Sequence, residues 1–226
     1  MNRLHPIRTV LQTELTLFFQ SDPGTFLIHA FILASWSAMM AFRGVAGNPT
    51  TDAIWWIFFS IVITSNYTTT TFIAERLNGS WEILLTSGIS RSAFLLGKVI
   101  FMMILAACWG YACLCLADLG SRLLPGAIRP IAFMEQQINV ALFLAASFMN
   151  ISFGAFMSVT LTNPRLFPFL SMILLSLLVA IYWAGVMQFG GQLIALLPVL
   201  LLIGSVFLIM AWRLFHSEKI VRPMVL

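Results

Sequence analysis

Apolar side chains recur at helical spacing through the first 20 residues. The apolar stripe consists of Leu4, Ile7, Leu11, Leu15, Phe18 and Phe19. The polar residues Arg3, Arg8, Gln12 and Glu14 lie mostly away from that stripe. This pattern predicts an amphipathic helix over residues 2–20 that lies in a membrane interface. The sequence Ser-Asp-Pro-Gly at positions 21–24 then ends the helix.

Long apolar stretches follow, each close to the roughly 20 residues that a helix needs to cross a bilayer. The predicted spans are 25–42, 53–74, 92–117, 136–161, 167–186 and 192–212. Polar segments, or segments rich in glycine and proline, separate them. The pattern predicts an all-α polytopic membrane protein with six transmembrane helices. Residues 1–226 would form a single transmembrane domain, with residues 75–91 as a connector between the second and third spans.

The basic residues indicate the orientation of these spans. With a cytoplasmic N-terminus, nine of the twelve lie on or near the inside: Arg3, Arg8, Arg76, Arg91, Lys98, Arg165, Arg213, Lys219 and Arg222. The other three, Arg43, Arg122 and Arg129, lie outside. Because short cytoplasmic loops carry an excess of Lys and Arg, both termini are predicted to be cytoplasmic.

The composition agrees with a membrane domain and excludes several other classes. Hydrophobic residues make up 60% of the 226 residues and charged residues only 9%, whereas a soluble domain carries about 25% charge. Six spans leave no room for a soluble catalytic domain. The net charge of +4 comes from basic residues scattered at span ends, which suits lipid headgroups, so no nucleic-acid partner is predicted.

The predicted spans lack the residues that most membrane chemistry requires. None carries Asp, Glu, Lys or Arg at its middle, where an ionised group usually has a function. Lys98 is expected to extend its ammonium towards the interface, and His29 to be interfacial or hydrogen-bonded. The three cysteines are expected to serve packing rather than metal binding. The chain also lacks a GxxxxGK[ST] phosphate loop, so it is not predicted to be an enzyme that hydrolyses nucleotide itself.

The inner half of the second predicted span is unusually polar, from Thr64 to Thr71. One interpretation is hydrogen bonding to neighbouring helices or to the helix's own backbone. The other is the wall of a translocation path or a dimer seam, formed by Asn66, Tyr67, Thr68, Thr70 and Thr71. Small residues that suit close helix packing occur at Ala30, Ala34 and Ala38, and at Gly154 and Ser158.

The connector between the second and third spans is the most informative segment. Ser80 is suited to cap a short helix that begins at Trp81, with Glu82 complementing the helix dipole. Gly88 is suited to end that helix after about two turns. Such a helix is too short to be stable alone, so its apolar side chains are expected to dock on another surface. An ordinary interfacial turn is the alternative interpretation.

This segment resembles the signature of ABC-2 type transporter permeases. The matching positions are Ala74-Glu75-Arg76, Gly79-Ser80-Trp81-Glu82-Ile83-Leu84-Leu85, Thr86-Ser87-Gly88, Arg91 and Gly97-Lys98. Ser80 replaces the family's usual Thr, and Gly88 replaces a frequent Pro. The start of the chain is also similar, through Glu14, the Phe18-Phe19 pair and Ser21-Asp22-Pro23.

The resemblance implies a permease subunit of an ATP-binding cassette exporter in the bacterial inner (cytoplasmic) membrane. Such permeases form homo- or heterodimers and work with two copies of a separate ATPase subunit, which binds ATP and magnesium. This chain would itself bind no cofactor. The ATPase-coupling residues implied are Glu75, Arg76, Gly79, Ser80, Trp81, Glu82, Leu84, Leu85, Gly88 and Arg91. Two alternatives stay open: a haem-export-type permease of cytochrome c maturation, and a membrane scaffold that transports nothing.

Overall fold

The structure is a computed structural model. It describes residues 5–19, 23–43, 49–77, 81, 89–123, 137–161, 163, 166–189 and 195–215. Throughout these ranges the regular elements are helices and no strand occurs. The prediction of a helical chain is therefore confirmed for this part of the protein.

The helices follow the apolar pattern closely. They are α1 (His5–Phe19), α2 (Pro23–Arg43), α3 (Pro49–Thr68), a π-helical turn (Thr69–Ala74), α4 (Glu75–Leu77), α5 (Arg91–Leu123), α6 (Gln137–Thr160), α7 (Leu166–Phe189) and α8 (Leu196–Phe215). Helix α1 lies within the predicted amphipathic segment. The π-helical turn joins α3 to α4 without a break, because the residues that flank it, Thr68 and Glu75, both keep right-handed helical backbone angles.

Three helices in the described part of the chain are long and apolar enough to cross a membrane. They cover Arg91–Leu123, Asn139–Thr160 and Leu196–Phe215. Two further apolar stretches, Phe26–Ala41 and Leu166–Leu178, are shorter within the described residues. This count covers the described residues alone, and it is lower than the six crossings that the sequence predicts.

Helix α5 extends beyond the predicted end of the third span. Its 33 residues would measure about 50 Å at about 1.5 Å per residue, whereas a bilayer core is about 30 Å thick. Near its end, Arg122 forms a salt bridge of 3.0 Å with Asp118, one turn earlier. Such i,i+4 pairs favour helix, so the polar residues after position 117 continue α5 instead of ending it.

Helix α6 lies at the centre of the bundle and contacts α3, the π-helical turn, α5, α7 and α8. On one side, the ring of Phe143 packs against Trp56 and Phe59 of α3, with ring centroids 5.7 and 5.6 Å away. On another, Phe153 packs 4.9 Å from Phe207 of α8. Helices α1 and α2 lie against α5, so α5 connects the N-terminal helices to the rest of the bundle.

A glycine on α6, Gly154, allows the end of α3 to approach α6 closely. A methyl group added at Gly154 would overlap the Thr68 side chain and would lie 2.9 Å from the Phe167 ring. The sequence-based expectation of close packing at Gly154 agrees with this contact. Small residues at helix interfaces let backbones approach in this way.

We expect Gly154→Ala to lower the free energy of unfolding by about 1–3 kcal/mol, the usual cost of overpacking a core. The measurement is thermal or denaturant unfolding of the purified protein in detergent. Gly120→Ala is the matched control, because its added methyl would meet only the Ala41 side chain, at 3.1 Å. Equal stability of the two variants would contradict the conclusion that close contact between α3 and α6 requires glycine at position 154.

Candidate functional site

A buried ion cluster joins α1, the end of the second predicted span and α5. The ammonium of Lys98 contacts the carboxylate of Glu14, and it lies 2.7 Å from Oε2 of Glu75. It also donates a hydrogen bond of 3.2 Å to the backbone carbonyl of Thr71. Lys98 has no exposed surface, and Glu14 is 5% exposed. The cluster therefore holds the ammonium and the Glu14 carboxylate away from solvent, while the Glu75 side chain is 20% exposed.

Local backbone features bring these groups together. At Gly97 the absence of a side chain lets α1 approach α5, because an added methyl would lie 2.8 Å from Cβ of Val10. Thr71 lies inside the π-helical turn and Glu75 follows it immediately. Since the two are about one turn apart, the Thr71 carbonyl and the Glu75 side chain face Lys98 together. π-Helical turns frequently occur at functional sites.

The cluster contradicts one expectation from the sequence. Lys98 does not extend to the interface, because it is fully buried between two carboxylates. Glu14, which the sequence places mostly away from the apolar stripe of the amphipathic helix, points into the bundle and is buried. The sequence around Lys98 does not indicate its carboxylate partners, because Glu14 and Glu75 lie 84 and 23 residues away in the chain.

The electrostatic balance of the cluster is negative. Burial raises the pKa of the Glu75 carboxyl above its ordinary value of 4.5, the Lys98 ammonium opposes that shift, and the Glu14 carboxylate adds to it. A buried charge is tolerated only when paired. With two carboxyl groups and one ammonium, the cluster favours the protonated form of Glu75.

We expect this proton to make stability depend on pH. Glu75 has a raised pKa in the folded chain, so the unfolded chain loses the proton first as pH rises above 4.5. In that window the folded state binds more protons, so the free energy of unfolding falls with rising pH. The measurement is the melting temperature of wild type and Glu75→Gln from pH 4.5 to neutral pH. Wild type should lose stability relative to Glu75→Gln, and parallel profiles would contradict the shift.

Both ends of the connector are attached to the carboxyl ends of other helices. Nη1 of Arg76 donates hydrogen bonds to the backbone carbonyls of Ser158 and, at 3.5 Å, of Leu161, at the end of α6. Nη1 of Arg91 donates one of 3.2 Å to the carbonyl of Phe215, at the end of α8. The last four carbonyls of a helix lack intrahelical partners, and basic side chains are favoured there.

Trp81 attaches the middle of the connector to the bundle. Its ring packs 4.8 Å from the Phe215 ring and 5.8 Å from the Phe94 ring, and Trp81 is 1% exposed. We expected Trp81 to dock on another surface, and the structure places it in the chain's own core. The other predicted coupling residues, Gly79, Ser80, Glu82, Leu84, Leu85 and Gly88, lie outside the described residues.

The polar half of the second span forms hydrogen bonds within the chain. The amide nitrogen of Asn150 donates to Thr64 Oγ1 at 2.7 Å and to Ser65 Oγ at 3.1 Å. The hydroxyl of Ser171 donates to the amide oxygen of Asn150, so α3, α6 and α7 meet there. Thr64 and Thr68 also donate to their own helix, to the carbonyls of the residues four positions earlier. These bonds agree with the packing interpretation. Neither Asn150 nor Ser171 stands out in the sequence.

The candidate residues for a translocation path or a dimer seam are mostly enclosed by their own chain. Tyr67, Thr68 and Thr71 are buried, and Asn66 is exposed. The side chain of Thr70 is not among the described ones. The Tyr67 ring stacks on His29, with centroids 4.1 Å apart. His29 has no exposed surface, so the structure encloses this histidine in the bundle.

A search against models of known protein families gives no match, and a search against curated protein sequences gives none either.

Proposed function

We propose that this chain is the transmembrane permease subunit of an ABC-2 type exporter, with the connector transmitting force from a separate ATPase subunit. The observation that carries the proposal is the attachment of the connector at several points. The motif residues Glu75, Arg76, Trp81, Arg91 and Lys98 all contact other helices of the bundle. A segment attached in this way cannot move without displacing those helices.

The converging helix ends support a cytoplasmic face at this end of the bundle. The end of the second predicted span meets the start of α5 through Lys98 and the end of α6 through Arg76. The connector meets the end of α8 through Arg91. Arg76, Arg91 and Arg213 therefore lie at one end, while Arg122 lies at the other end of α5. The positive-inside rule then favours a cytoplasmic connector, in agreement with the proposed six spans and cytoplasmic termini.

The proposed mechanism follows from these attachments. ATP binding would draw together the two ATPase subunits, each bound beneath one permease chain, and would shift the connector. Arg76 and Arg91 would pass that displacement to α6 and α8, and the Lys98 cluster would pass it to α1 and α5. The bundle core is packed closely at Gly154, so its helices would shift as units between two arrangements rather than deform gradually.

The proposal is tested by crosslinking in native membranes. A photoreactive amino acid at Glu82, on the proposed ATPase-facing helix, should form a crosslink to an ATP-binding polypeptide. The same amino acid at Leu123, which is 70% exposed at the opposite end of α5, is the control and should not. A crosslink from Glu82 only to lipid, or only to proteins without a nucleotide site, would overturn the proposal and favour the scaffold alternative.

A further inference from the structure

An apolar groove runs between α5 and α8 beside the connector. Its volume is about 250 Å³, and its accessible wall is entirely apolar. The lining residues are Ser92, Leu95, Leu96, Leu208, Ile209 and Trp212. Near the rim, the indole nitrogen of Trp212 donates a hydrogen bond of 3.0 Å to the hydroxyl of Ser92. The groove is thus an open cleft of alkyl and aromatic side chains.

Arginines lie at the end of the groove that is nearer the connector. Arg91 precedes Leu95 by one helical turn on α5, and Arg213 follows Ile209 by one turn on α8. The guanidinium of Arg91 crosses the gap between the helices, since it bonds to the Phe215 carbonyl at 3.2 Å. Arg213 is exposed. Two arginines therefore lie one helical turn beyond residues that line the apolar cleft, on the side of the connector.

Charge complementarity selects the occupant. An alkyl chain suits the wall of the cleft, and an anion suits the two guanidinium groups, which are well shaped for phosphate. Trp212 and the basic residues are typical of the headgroup level of a membrane. Basic pockets between transmembrane helices on the cytoplasmic side bind anionic headgroups. An anionic phospholipid combines these two features, because it carries alkyl chains and a headgroup with a net negative charge.

We propose that this groove is a binding site for an anionic phospholipid of the cytoplasmic leaflet. One acyl chain lies along Leu95, Leu96 and Ile209, and the phosphate lies between Arg91 and Arg213. The lipid would then contact the residue that attaches the connector to α8. The site rests on the membrane orientation given under the proposed function, but it does not depend on transport.

The test is lipid binding to the delipidated, detergent-solubilised chain, measured by native mass spectrometry. Phosphatidylglycerol and phosphatidylcholine with identical acyl chains are titrated in parallel. Phosphatidylglycerol should bind more tightly, and Arg213→Gln should weaken it about fivefold, the factor that about 1 kcal/mol for one basic residue near an anionic lipid corresponds to. Arg122→Gln, an exposed arginine at the other end of α5, should leave binding unchanged. Ile209→Trp fills the cleft and should weaken the binding of both lipids.

Three outcomes would overturn the proposal. The first is equal affinity for the two lipids. The second is an equal loss in Arg213→Gln and Arg122→Gln, which would indicate diffuse attraction to positive charge. The third combines two results: an Ile209→Cys variant forms a disulfide between two copies in membranes, and Arg213→Gln has no effect on lipid binding. A second copy of the chain would then occupy the groove. Each result leaves the ATPase-crosslinking test of the permease proposal unaffected.

Discussion

Replacing Lys98 with methionine is expected to lower the free energy of unfolding by about 3–5 kcal/mol, the usual cost of removing one partner from a buried ion pair. Methionine fills a similar volume but leaves Glu14 and Glu75 facing each other without the ammonium that now lies between them. The measurement is denaturant unfolding in detergent, together with the amount of folded protein recovered from membranes.

Two further variants separate the loss of charge from the loss of packing. Lys98→Met combined with Glu14→Gln and Glu75→Gln removes all the charges of the cluster, and it should recover most of the lost stability, because a neutral replacement leaves no uncompensated ion. Arg122→Gln breaks the exposed pair with Asp118 and should cost no more than about 1 kcal/mol. A Lys98→Met variant as stable as wild type would show that the lysine reaches the interface after all.

Trp81→Ala is expected to have the second large effect, because Trp81 fills the space between Phe94 and Phe215 and attaches the connector to α5 and α8. Truncating a buried tryptophan costs about 3–5 kcal/mol of stability. Under the proposed function, loss of this attachment should let ATP hydrolysis by the partner ATPase continue without cargo movement. The measurements are unfolding in detergent and the ratio of transport to ATP turnover in reconstituted vesicles.

Phe169→Ala is the control, since it truncates an aromatic side chain that is 64% exposed on α7, outside the connector. It should cost much less stability and should leave the ratio of transport to ATP turnover near that of wild type. If Trp81→Ala lowered ATP turnover and transport in equal proportion, Trp81 would serve ATPase binding rather than force transmission.

The helical segments could be predicted from the sequence because they depend on local pattern. The stripe of Leu11, Leu15 and Phe18 suffices to locate α1, and continuous apolar runs suffice to locate the longer helices. The end of α5 was missed because Asp118 and Arg122 look like loop residues until their i,i+4 pairing is considered. Helix ends are set by such individual contacts, which composition does not reveal.

The contacts of the candidate site could not be predicted in the same way. Lys98, Glu14 and Glu75 come from three separate segments. The packing of α1 on α5, which includes Val10 on Gly97 and Phe18 on Phe101, brings Glu14 to the lysine. The same holds for Asn150, whose amide nitrogen donates to residues 85 and 86 positions away and whose amide oxygen accepts from a residue 21 positions away. Sequence pattern showed that the connector was unusual, but the residues to which it is attached depend on tertiary packing.

The central claim is that an external ATPase acts on the bundle through the connector. Its most direct test is purification of the chain from its native membrane in mild detergent, followed by identification of the co-purifying polypeptides and assay of ATP hydrolysis. We expect an ATP-hydrolysing subunit in equal amount with the permease chain, and we expect it to be lost when Glu82 and Leu84 are changed together to alanine. Purification of the chain without any nucleotide-hydrolysing companion, or unchanged association in the double variant, would contradict the account.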